Sequence, residues 1–127
     1  MSTRSRGDEG QTTVELALAL PVVAVVALGL LQVGLVVRDQ ILVTHAAREA
    51  VRAAAVSDDP AAPQAAAERG ATGLDPARLR VAVVQREEPG GWVEVRVTYR
   101  AATDLPLVGP LVGDADLQAS AVMRVEG

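Results

Sequence analysis

From Leu16 to Val37 the chain runs 22 residues with one strongly polar side chain, Gln32. At ~1.5 Å rise per residue such a helix is about 33 Å long, against a hydrocarbon core of about 30 Å. The run therefore reads as a membrane-spanning helix. It is too long for the apolar region of a cleaved secretory signal, and no A-x-A-like site closes it before Arg38. Pro21 lies inside it, where it removes a hydrogen bond and crowds the carbonyl of Ala17, so a kink near that end is expected. Arginines flank the run on both sides, Arg4 and Arg6 before it and Arg38, Arg48 and Arg52 after it, so charge asymmetry does not fix an orientation.

The residues beyond the run cannot build a large core. Aromatics are 2% of the chain, Trp92 and Tyr99 with no Phe, so core filling falls to Val, Leu and Ala. There is no cysteine to staple a small head or to supply thiol chemistry. The net charge is -4, and no basic cluster marks a nucleic-acid surface.

The periodicity separates the remaining stretches. Met1 to Gly10 is short, polar and charged, and reads as disordered. "RDQILVTHAAREAVRAAAV", Arg38 to Val56, is rich in Ala and continues the helix into water, with Glu49 and Arg52 as an i,i+3 pair. "SDDPAAP" stops it, and Pro63 to Arg69 allows a further turn or two of helix. "LRVAVVQR", "WVEVRVTYR" and "LQASAVMRVE" alternate as strands, the first two joined by the turn "EEPGG". These elements predict an α+β chain, in which the helix covers one face of a three-stranded antiparallel sheet. "LPLVGPLVGDAD", Leu105 to Asp116, is apolar yet broken by Pro and Gly. It either tucks over a sheet edge or forms a patch for a neighbouring subunit or a membrane surface.

Enzyme chemistry finds little support. His45 lies alone on the Ala-rich helix, and Glu87–Glu88 and Asp114 with Asp116 lack calcium-loop spacing. No phosphate loop or nucleophilic triad is visible, and no cofactor, metal, small-molecule substrate or nucleic acid is expected. Glu15, at the mouth of the apolar run, has two readings. Thr12-Thr13-Val14-Glu15 fits a capping box, with Thr12 as N-cap and Glu15 reaching back to its amide. Alternatively, a carboxylate that is costly in the membrane region awaits a positive partner. A free α-amino group made by cutting the chain just upstream, at Gly10, would be one.

"GQTTVELALALP" resembles the start of type IV prepilins, and within them the TadE/TadG-like pseudopilins of tight-adherence (Tad, Flp-type) pili. "TVELALALP", "HAAREAVRAAA" and "SAVMRVE" each resemble stretches of that family. The resemblance implies a pilin-like fold, with residues 1–10 as leader, 11–37 as transmembrane helix, 38–56 as its soluble extension and 57–127 as a small extracytoplasmic head. It also implies that a prepilin peptidase cuts between Gly10 and Gln11, that Glu15 is an assembly contact, and that the N-terminus faces the cytoplasm. Pro21, Gly29 and Gln32 are expected in helix packing, and the expected partners are other pilins, the Tad inner-membrane machinery and membrane lipid. Gln32-Val33 stands where the family often has Glu-Phe, and Ala50-Val51 where it has Gly-Ala. The alternatives are an uncleaved single-pass anchor with an envelope-binding head, and a secreted enzyme or binding module.

Overall fold

One helix, α1, runs from Arg6 to Val56, 51 residues, in a computed structural model that describes residues 6–102, 113 and 115–126. At ~1.5 Å per residue it is about 77 Å long. Its two halves face different surroundings. From Val14 to Val37 nearly every large apolar side chain is exposed, and none of its most apolar 18-residue window is buried. That half is long and apolar enough to cross a membrane. In the upper half, Val43, Ala46, Ala47, Ala50, Val51, Ala54 and Ala55 are buried, a stripe with the helical period.

The helix begins earlier than its polar start suggests, because residues 6–10 are helical rather than disordered. Asp8 and Glu9 occupy the first turn, where the helix dipole favours acids. Pro21 lies within the unbroken helix, its missing N–H leaving the Ala17 carbonyl one intrahelical donor short.

After α1 the chain turns back. Asp59 accepts from the Ala61 amide through Oδ1 at 2.9 Å, and α2 (Ala62–Gly70) opens with Pro63 in its first turn, a compatible place for a residue lacking N–H. Ala66, Ala67 and Ala71 are buried along with the alanine face of α1. Small residues let the helices approach closely: a Cβ added to Gly70 would stand 2.8 Å from Glu49 Cγ. Glu49 is thus engaged with α2, and the expected Glu49–Arg52 ion pair is absent among the described residues.

The sheet has order β1-β2-β3, with β1 Leu79–Arg86, β2 Trp92–Ala101 and β3 Ala115–Arg124, all antiparallel. β2 alternates cleanly, with Val93, Val95, Val97, Tyr99 and Ala101 buried and Trp92, Arg96 and Arg100 turned outward. On β3, Leu117 is buried, as is Val125 just beyond it, and Ala119, Ala121 and Met123 pack against the core between them. β1 follows the expected alternation only at Leu79 and Val81. The register then slips between Val83 and Gln85, and Val83 and Val84 are both exposed. The cause is cover: α1 lies over β2 and β3, while β1 is met near its start by α2. There the Gln64 side chain donates to the Leu79 carbonyl and accepts from the Val81 amide, both at 3.1 Å, closing part of an otherwise open edge.

The turn "EEPGG" forms the β1–β2 hairpin, with Gly90 at φ +94°, a conformation that suits glycine. Glu87 accepts from the Trp92 amide at 3.1 Å, a turn role rather than a cation site. Arg124 lies over the Trp92 ring at 5.4 Å from its centroid. The expectation for Leu105 to Asp116 falls largely outside the described residues. Of that stretch, Asp116 pairs with Arg100 at 3.6 Å.

The upper end of α1 is tied to both outer strands. Its last turn has no basic side chain of its own, and its last carbonyls need outside donors. Arg86, at the end of β1, donates to the Ala54 carbonyl, to the Ser57 carbonyl at 2.8 Å and to Asp58 at 2.6 Å. Beyond β3, the Glu126 amide donates to the Ala55 carbonyl at 3.0 Å. Arg86→Ala is expected to lower the unfolding free energy by about 1–3 kcal/mol, read by chemical denaturation in detergent. Arg86→Lys should recover only part of it, because an ammonium cannot reproduce the fork.

Candidate functional site

The foot of α1 carries Gly10, Gln11 and Glu15. Because the helix starts at Arg6, Thr12 is an interior residue. Its hydroxyl donates to the Asp8 carbonyl at 2.9 Å, and that of Thr13 to the Glu9 carbonyl at 3.0 Å. These are back-bonds within a helix, in which the hydroxyl donates, whereas an N-cap oxygen accepts. The capping box is therefore not formed. Glu15 lies beyond the first turn, where the dipole contribution has fallen away, and Asp8 and Glu9 fill that place instead.

Freed from capping, Glu15 is exposed on the helix surface. Its Oε1 faces the Gln11 side-chain nitrogen at 3.5 Å, one turn below, a long and weak contact. Gln11 and Glu15 thus share one face of the helix. The carboxylate can accept further donors from outside the chain.

Gly10 is also exposed, and a Cβ added there would meet nothing within 4 Å. The fold gives no reason for glycine at this place, where an interior helical glycine costs roughly 0.5–1 kcal/mol relative to Ala. Gly29 likewise has open space around it. Pro21 is exposed beside Val22, Val25 and Val26, with which it forms a shallow apolar hollow. Gln32 differs: it is the buried polar residue of the described set, at 9% exposure, on the face that higher up meets the sheet.

Elsewhere, His45 is exposed and borders a shallow cleft with Glu49, Arg69 and Gly70 between α1 and α2. The two side chains that matter most to the head, Arg86 and Gln64, carried no sequence signal. Each acts across about 15 to 32 residues of chain, on backbone atoms that only the fold brings near.

Residues 10–52 match the family model for TadE-like protein. The match takes in Gly10, Glu15, the apolar run and most of the alanine-rich face, and it leaves the sheet outside. No curated protein and no solved structure matches the chain.

If Thr12 is interior, replacing it should not unwind the helix. Thr12→Ala is expected to keep or slightly raise helicity, Ala being the better helix former by a few tenths of a kcal/mol. Circular dichroism of the detergent-solubilised chain checks this; a loss of about 1 kcal/mol, the worth of a true N-cap, would contradict it.

Proposed function

We propose that this chain, TadE-like over residues 10–52, is a minor pseudopilin: a membrane-anchored structural subunit for the assembly or initiation of Tad-type pili. The observation that carries the reading is Glu15, exposed at the mouth of a lipid-compatible helix and free of the capping role that would explain it within its own chain. A carboxylate in that position is unfavourable by up to a few kcal/mol in the membrane, less toward the interface, until a cation approaches.

In this reading the exposed apolar half of α1 holds the subunit in the cytoplasmic membrane, N-terminus inside and head outside. A prepilin peptidase hydrolyses the Gly10–Gln11 amide, water supplying the carboxylate oxygen of Gly10 and the protons of the new Gln11 ammonium. Removal of residues 1–10 takes away Asp8 and Glu9, the acids that now complement the helix dipole. Glu15 of an adjacent subunit then pairs with the Gln11 ammonium, which offsets the desolvation of both and sets the axial offset between helices. Open space at Gly29 suits close approach of a neighbouring helix. Pilins and the Tad inner-membrane machinery are the partners.

One observation favours the alternative of an uncleaved anchor with an envelope-binding head: α1 passes through Gly10–Gln11 without a break, and peptidases act on unwound chain. The two readings separate in one measurement. Co-expression with a prepilin peptidase should shorten the chain by its first ten residues, as seen by intact mass. An unchanged mass in a piliated host sinks the pseudopilin reading. Glu15→Ala should still be cut, yet its incorporation into sheared pili should fall about tenfold or more, the factor that ~1.4 kcal/mol represents. Wild-type incorporation would return Glu15 to a local role.

A further inference from the structure

The upper half of α1 leaves one stripe exposed to solvent. Ile41, His45, Arg48, Arg52 and Val56 follow one another at spacings of four, three, four and four, which places them on one stripe. All five are exposed. They lie opposite the alanine face that meets the sheet. Arg48 and Arg52, and Arg69 on α2 across the cleft from His45 and Glu49, have no ion-pair partner among the described residues. This unpaired positive charge is unexpected in a chain of net charge -4.

The compensating charge sits at the tip. Asp58 in the α1–α2 turn lines a hollow with Glu87 and Glu88 of the β1–β2 turn, Arg86 is the cation among them, and Asp59 follows Asp58 in the chain. Asp59 is exposed, and its described contacts are with backbone amides and not with a cation.

We infer that the Arg48–Arg52 stripe is a docking face for a second copy of this chain, received at that copy's Asp58–Asp59 turn. The inference rests on the subunit reading above and adds the head contact that accompanies it. Consider two parallel helices, the upper displaced so that its Gln11 stands level with Glu15 of the lower, a stagger of four residues or about 6 Å. The same stagger sets Arg52 of the upper copy level with Val56 of the lower. From there an arginine side chain reaches the Asp58–Asp59 turn immediately beyond. One displacement along the axis therefore brings the foot pair and the head pair each to a common level. Ile41 and Val56, 54% and 60% exposed, flank the basic residues with apolar surface that such a contact would cover.

The absence of cysteine from the chain makes the contact directly testable. Two full-length copies carrying different tags, one Arg52→Cys and the other Asp59→Cys, are co-expressed in the piliated host and treated in membranes with a short bifunctional maleimide. The expected product is a mixed-tag dimer, several-fold more abundant than from Arg52→Cys paired with Gln118→Cys, an exposed position on the sheet. Yields equal to that reference, or no dimer, overturn the inference. A charge exchange checks the pairing: Arg52→Glu throughout should lower crosslinking at neighbouring stripe positions, and adding Asp59→Arg should restore it. Failure of restoration, with both variants giving the wild-type proteolysis pattern, counts against the pair. Intact mass from the same samples separates the two claims, because shortened chain without mixed dimer overturns the contact and leaves the subunit reading standing.

Discussion

The seam between the alanine face of α1 and the valine row of β2 supports everything above the apolar run. Val43, Ala47, Ala50, Val51 and Ala54 on the helix meet Val93, Val95 and Val97 on the strand, all nearly fully buried. With no Phe and one Tyr, density must come from close approach rather than from bulk. Alanine allows that approach on two sides of the helix at once, so α2 can press against α1 while the sheet takes the adjoining face. The same economy leaves the seam small, and the polar ties at its margins carry unusual weight. Arg86, Glu126 and Gln64 each bind backbone atoms that would otherwise be left without partners at a helix end or a strand edge.

Much of this layout is legible in the residues. Strict alternation in "WVEVRVTYR" yields the central strand, and the apolar run with its alanine-rich continuation yields the long helix. What escapes is set by tertiary context. β1 alternates as convincingly as its neighbours, yet the helix that would cover its second half lies over β2 and β3, and the strand slips register where cover ends. The polar start of the chain reads as disordered because composition does not reveal that Asp8, Glu9 and the threonine back-bonds belong to a helix continuous with the apolar run. The capping box fails for the same reason: S/T-x-x-E marks an N-terminus only if the helix begins there.

At the foot of α1 the sequence puts Gln11 and Glu15 on the helix and Gly10 in the polar stretch before it, whereas all three lie on α1; it also assigns Glu15 two competing roles. The start of the helix at Arg6 removes the local one. A glycine that no neighbour requires and a carboxylate that no cap uses are features a single folded chain would do as well without. On the proposed subunit reading, their value lies in chemistry between chains.

α1 is also a mechanical member. Its backbone hydrogen bonds run nearly parallel to its axis, so tension applied at the foot passes up the helix as a strut passes load. The series is interrupted at Pro21, where the Ala17 carbonyl lacks its usual donor. Compliance in the stalk therefore concentrates there, within the apolar half and well below the head. Bending of the apolar segment is therefore easiest at that point, far along the helix from the alanine–valine seam.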